Sequence, residues 1–202
     1  MKKLSVILSV LLFATLILSA CGPAATEPAP EPAAPEEPAP AEVDGMPDLG
    51  GAEVTIAVEN AYLPFNYIDP ESGEPAGWDY DVWDEICALI NCTPVYTEAA
   101  WEGMIQAVAD GQFDAAADGI TITEERAEIV DFSMGYIAIE QRLLVRSDED
   151  RIESIESIVA DETLVLGTQT GTTNYATAAT YLDEDRIQAF EQFPFAVQAL
   201  LA

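Results

Sequence analysis

The chain has 202 residues, with 37 acidic and 7 basic side chains, no histidine and a formal charge of −30. So negative a chain repels nucleic acid and anionic lipid, which excludes a sequence-independent phosphate binder and leaves no nucleic-acid partner.

Lys2 and Lys3 precede the apolar run LSVILSVLLFATLILSA, residues 4–20, which ends at Cys21. A charged start, an apolar middle and small residues before a break describe an export signal. Its 17 residues are short for a bilayer-spanning helix. LSAC at 18–21 resembles the lipobox of bacterial lipoproteins. That resemblance implies that Cys21 is acylated, with palmitate as one such lipid, becomes the mature N-terminus and anchors the chain to the membrane. Residues 22–50 hold 8 of the 13 prolines and few large apolar groups. Such a segment buries too little surface to offset its ordering entropy and reads as a semi-stiff tether. With the signal removed, the basic residues are Arg126, Arg142, Arg146, Arg151 and Arg186.

From residue 51 short apolar runs alternate with amphipathic ones. EVTIAV (53–58) is β-branched and strand-like. YLPFNYID and GEPAGWD read as a loop and hairpin punctuated by Gly73, Pro75 and Gly77. In DYDVWDEICALI, Val82, Ile86, Leu89 and Ile90 share one helical face, and Trp78 and Trp83 read as core. TPVYTE (93–98) is a second strand; Trp101, Met104, Ile105 and Val108 form the next helical stripe; FDAAAD (113–118) is a third strand. IAIEQRLLVR, residues 137–146, reads as one long strand. A short helix near ESIESIV, strand TLVLG (163–167), helix TGTTNYATAATYL (170–182), strand RIQAF and helix FAVQALLA follow. Strands alternating with helices indicate an α/β layered fold with mainly parallel sheets. The chain stops inside the final helix with neither cap nor closing strand, which reads as a fragment of something longer.

Two cysteines remain, Cys87 and Cys92, and two thiols do not make a four-ligand zinc site. No metal or other cofactor is expected. Export permits a disulfide where this helix ends, and two buried thiols are the alternative.

Arg126 is the one cation in ADGITITEERAEIVDFS, placed where a helix is expected to begin and its dipole disfavours positive charge. Either Thr121 with Glu124, or Thr123, suits a cap there. An ion pair with Glu124, Glu125 or Glu128 would contribute about 0–1 kcal/mol at a surface. The alternative is a guanidinium whose planar fork grips a carboxylate.

AVENAYLPFNY, GWDYDVWDEI, WEGMIQAV, FDAAADGITITEERAEIVDFSMGY and GTQTGTTNYA occur in one order. Over about residues 52–202 this order resembles extracytoplasmic solute-binding proteins of family 3, the polar amino-acid-binding subunits of ABC importers. The resemblance implies a periplasmic-binding-protein-like clamp of two α/β lobes. Residues 1–20 are then the signal and 21–50 the lipidated cysteine and tether. Residues 51–143 form lobe 1, and 144–202 the hinge with an incomplete lobe 2, lacking the strand whose acid would hold the ligand α-amino group. It further implies that Arg126 pairs with the ligand α-carboxylate while Gly119 and Thr121 supply backbone and hydroxyl donors. Tyr62 and Trp101 stand where aromatics sandwich the ligand side chain, although Trp101 also opens a core stripe. Glu59 stands where a side-chain-reading group sits, and a merely solvated acid is the other reading. Thr172 and Thr173, with Gln169 and Asn174 nearby, would close on the carboxylate from lobe 2, or serve as a polar helix cap.

The function implied is a monomeric, non-enzymatic, lipid-anchored binder outside the membrane that passes an amino acid to ABC permease membrane subunits. A sensory ligand-binding domain uses the same clamp. A dehydratase-type enzyme would need a poised acid or base, for which only Glu59 and Asp118 are nearby. Glu59 and the net charge point to a basic or neutral ligand.

Overall fold

The structure, a computed structural model, describes residues 45–202. The signal, Cys21 and the tether as far as residue 44 lie outside the described residues.

Strand β1 (Ala52–Val58) runs parallel to both β5 (Cys92–Glu98) and β6 (Ala115–Ala116), giving the order β5-β1-β6. Its side chains alternate between faces, as the strand period of two requires. Val54, Ile56 and Val58 pack with Tyr80, Trp83 and Tyr96, while Ala57 packs with Trp101 and Met104 on the other side. Helix α1 (Trp78–Ile90) covers the first face and α2 (Met104–Ala109) the second. A parallel sheet buried on both faces explains why Ile56, Ala57 and Val58 are all buried in succession. The inward side of α1 agrees with the one expected at Val82, Ile86 and Ile90, which are half-buried, and departs from it elsewhere. Leu89 is exposed and Cys87 buried, because the stripe Tyr80, Trp83, Cys87 carries more aromatic surface at equally good helical spacing. Trp78 also leaves the core: it is exposed and stacks on Tyr136, centroids 4.4 Å apart.

Asn91 ends α1 in the left-handed conformation (φ 54) and turns the chain into β5. Across this turn Cys87 and Cys92 form a disulfide, Cα atoms 4.4 Å apart. Residues just before β1 are pinned to the same corner: Leu49 N–H donates to Ile90 O and Gly51 N–H to Asn91 O, each at 2.8 Å. Between β1 and α1, an antiparallel meander of β2 (Ala61–Tyr62), β3 (Asn66–Ile68) and β4 (Pro75–Ala76) replaces the expected loop and hairpin closely. Gly77 at its exit is obligatory, since φ is 130 and an added Cβ would lie 2.3 Å from Phe65 O.

FDAAAD contributes only the two residues of β6, and α3 (Glu124–Ala127) is a single turn. Thr123, not Thr121, caps it: its hydroxyl accepts from Arg126 N–H at 3.2 Å. Arg126 is the third residue of this four-residue helix, in its first turn as well as its last, so the helix adds only a single turn of peptide dipoles against the cation.

The second layer holds α4 (Ile155–Ala160), β7 (Leu166–Gln169), α5 (Thr173–Ala178), β8 (Ile187–Phe190) and α6 (Phe193–Leu201). β7 and β8 pair in parallel. Ile158, Ala178, Leu182 and Ile187 form its core, joined by Ile155, Leu164 and Leu166. β7 begins three residues later than expected and α5 ends earlier, at Ala178. Residues 137–146, expected as a long strand, are not one. A strand exists by its ladder, and no described strand pairs with this segment, leaving Ile137, Ile139 and Leu144 exposed. Glu149 anchors its far end by accepting from Arg151 and Arg146, and the Arg151 hydrogen bonds hold the Glu149 carboxyl down to about 2.

Candidate functional site

A cavity of about 310 Å³ lies where the ends of β1, β6 and β7 meet. All ten residues singled out for ligand contact line it: Glu59, Tyr62, Trp101, Gly119, Thr121 and Arg126 from the first layer, and Gln169, Thr172, Thr173 and Asn174 from the second.

Arg126 is half-buried, and its guanidinium stands over Trp101, 5.1 Å from the ring centroid. Nη1 donates to Thr121 O at 2.9 Å and Nη2 to Gly171 O at 3.3 Å, so one side chain touches both layers. Among the described residues no carboxylate comes within ion-pair distance of it; the three ion pairs there belong to Arg142, Arg146 and Arg151. The surface pairing weighed for Arg126 is thus not made. Burial pushes its pKa down, the response of a cation that has lost water without gaining an anion. Trp101 has the core packing weighed for it, against Ala57 and Met104, and its ring also faces the guanidinium.

Gly119 follows β6 with φ 54, and a Cβ there would meet Tyr62 Cε1 at 2.9 Å. A glycine lets the chain pass beneath the Tyr62 ring. Tyr62 and Phe65 pack at 5.1 Å in turn. From the second layer, Thr172 caps α5 by accepting from Tyr175 N–H, and its hydroxyl donates to Gln169 O at 2.7 Å. Its hydroxyl is thus engaged in the local structure. Asn174 donates to Gln141 Oε1 at 3.0 Å, and Gln141 donates to Thr173 Oγ1 at 3.4 Å.

Glu59 is buried rather than solvated. It accepts from Gln169 Nε2 at 2.8 Å, and burial pushes its carboxyl up while that bond opposes the rise. Beside it stands a group missed as a ligand contact. Asp118 is 4% exposed, lines the cavity and accepts from Asn66 Nδ2 at 2.7 Å; Asn66 donates also to Asp79 at 2.9 Å. Burial, with Glu59 and Asp79 nearby, pushes Asp118 up to about 7. Sequence adjacency places Asp118 next to Gly119, but only the fold shows Asn66 and Asp79 behind it. A further cavity of about 430 Å³ lies between residues 141–152 and the β7–β8 pair; its lining is mostly apolar, with Glu149 among its charged members, and lacks Arg126, Glu59 and Asp118.

Two α/β layers thus face each other across a polar cleft. The family of bacterial extracellular solute-binding proteins, family 3, matches residues 54–198, and the chain belongs to it. It is similar to the arginine-binding periplasmic protein of Mannheimia haemolytica, 29% identical over 146 residues, covering 72% of this chain and 57% of that protein. The ABC transporter glutamine-binding protein GlnH of Bacillus subtilis is 29% identical over 161 residues, 78% of this chain and 56% of that protein. The ancestral amino acid-binding protein AncCDT-1, a precursor of cyclohexadienyl dehydratase, superposes with TM-score 0.70 at 29% identity, covering 74% of this chain and 66% of that one. The arginine-bound form of truncated ArgBP from T. maritima superposes with TM-score 0.67 at 27% identity, covering 74% and 69%. The chain spans a little over half the length of the curated relatives named here.

Proposed function

We propose that the protein captures an amino acid outside the membrane and delivers it to the membrane subunits of an ABC permease. The observation that carries this reading is Arg126, a half-buried guanidinium in a cleft, over an aromatic ring and without a carboxylate partner among the described residues. A ligand α-carboxylate supplies the missing anion through two parallel charge-assisted hydrogen bonds. Thr121, Gly119, Thr172, Thr173 and Asn174 supply polar groups around it, and Tyr62 with Trp101 supplies flat contact area for the side chain. The relatives named above are binding proteins, which supports a binder rather than an enzyme. The LSAC motif supports a lipoprotein held to the membrane through Cys21.

Calorimetric titration of the full chain with the common L-amino acids, beside Arg126→Ala, tests the assignment. Binding of one or a few of them, lost in the variant, supports it; a folded wild-type chain that binds none overturns it. Incorporation of labelled palmitate that disappears in Cys21→Ala tests the anchor separately.

A further inference from the structure

Two carboxyl groups converge on the single side-chain amide of Asn66, and a third lies beside them. Its two N–H groups are consumed by Asp79 Oδ2 and Asp118 Oδ1, and its Oδ1 accepts from Asn60 N–H at 2.7 Å. Glu59 is the third, coupled electrostatically to Asp118. Asn66 is wholly buried, and Glu59, Asp79 and Asp118 are each no more than 4% exposed. Among the described residues no cation pairs with any of the three. Uncompensated buried charge of one sign is costly enough that such a cluster retains a proton instead.

Of the three, Glu59 and Asp118 reach the cavity, and Asp79 stands behind them. Glu59 already holds the Gln169 amide from the second layer. Asp118 holds a share of Asn66 and the backbone N–H of Glu59. Glu59 likewise has one amide and one backbone N–H, but Asp118 must share its amide with Asp79 and faces two other acids. We infer that Asp118 selects the charge of the bound side chain, exchanging a stored proton for the cationic head of an amino acid. This deepens the amino-acid reading above and rests on it.

The groups facing Asp118 allow the exchange. Glu59 at the end of β1 and Asp79 on α1 both raise its pKa, while the Asn66 amide opposes them. Tyr62 from β2 and Tyr136 from the 131–146 segment are raised themselves, mainly by burial, and stay neutral near pH 7. Arg126 lines the same cavity and is engaged by Thr121 O, Gly171 O and, on the reading above, the ligand carboxylate. With Asp118 near 7, the proton sits at the edge of physiological pH. An entering guanidinium or ammonium favours the carboxylate, and the proton leaves to solvent. A neutral side chain of the same shape leaves the proton where it is. A cationic ligand therefore binds more tightly as pH rises, and a neutral one does not.

L-arginine and L-citrulline differ little in shape and by one charge, which makes them the discriminating pair. The full chain is titrated calorimetrically with both, at about pH 6 and pH 8 and in buffers of different ionisation heat. The expected result is about a tenfold gain in arginine affinity from pH 6 to pH 8, with about one proton released at pH 6 and about a tenth of one at pH 8, and no slope for citrulline. Asp118→Asn abolishes the slope, the proton release and most of the preference for arginine. A wild-type chain that binds arginine without pH dependence, or binds citrulline as tightly, overturns the inference without recourse to any variant. So does a slope that survives in a folded Asp118→Asn. If L-glutamine binds and is lost in Arg126→Ala while arginine does not bind, only this inference falls. If no amino acid binds the folded wild type, the amino-acid reading falls with it.

Discussion

The side-chain amide of Gln169, at the end of β7, donates to the Glu59 carboxylate, just past β1, at 2.8 Å. Both side chains are buried, so one hydrogen bond ties the two layers together beside the cleft. Gln169→Leu keeps the bulk and removes the donor. A buried acceptor left unmade costs about 1–3 kcal/mol, and more when it is charged. The bond lowers the Glu59 pKa against burial, so its loss raises that pKa further. The destabilisation measured by urea unfolding should therefore be larger at neutral pH, where Glu59 would have to ionise, than in mild acid. An equal loss at both pH values would mean that the bond does not matter to Glu59.

Arg126→Lys tests geometry apart from charge. The ammonium keeps the positive charge but not the planar fork that spans Thr121 O and Gly171 O over the Trp101 face. Affinity for the amino-acid ligand should fall by at least about tenfold while the unfolding midpoint stays near that of the wild type. A lysine variant with wild-type affinity would show that charge alone suffices.

Gly119→Ala should weaken both fold and binding. At φ 54 an L-residue is strained by roughly 1–2 kcal/mol, and its Cβ would press on Tyr62 Cε1. The ring that must yield lines the cavity. Loss of stability in thermal unfolding with undiminished affinity would place Tyr62 outside the ligand's reach.

The first layer was more legible than the second because its strands announce themselves twice. β1 and β5 have β-branched alternation and also face partners that cover them, so period and burial agree. Residues 137–146 have the same composition but no ladder, and pairing is not written in local pattern. At the site, the motif GITIT with Arg126 was enough to find the cleft. Asp118 escaped because its character comes from Asn66 and Asp79, 52 and 39 positions away in sequence, and no spacing rule links them. Trp78 shows the converse: a large apolar residue on a helix looked like core, yet it stacks in the open on Tyr136.

The Cys87–Cys92 bridge closes a short loop at the corner where α1 hands over to β5 and where Leu49 and Gly51 dock. A loop this small restricts the unfolded chain only modestly, so reduction should cost about 2 kcal/mol. The lesion lies on the far end of the sheet from the cleft-lining end of β1. Urea midpoints with and without reductant should differ by that amount, with ligand affinity unchanged. An affinity that falls on reduction would show that the corner and the cleft are coupled.

Asp118 should also leave its mark on the stability of the empty protein, with a sign opposite to ordinary surface acids. Its carboxyl titrates at 3.8 when unfolded and near 7 in the folded chain, chiefly through burial. Between those values the folded state holds a proton that the unfolded state has lost. Stability therefore falls as pH rises through that window and levels off above it. In Asp118→Asn the amide oxygen can still accept from Asn66, and the titration is gone. Relative to wild type, the variant should gain on the order of 2–4 kcal/mol as pH is raised from about 4 to 8. The acids whose pKa is lowered, such as Asp114 and Glu149, are present in both chains and cancel in the difference. Urea unfolding of both proteins across this range measures it. A difference that does not change with pH would show that Asp118 ionises as an exposed acid does, and that the Asn66 cluster stores no proton.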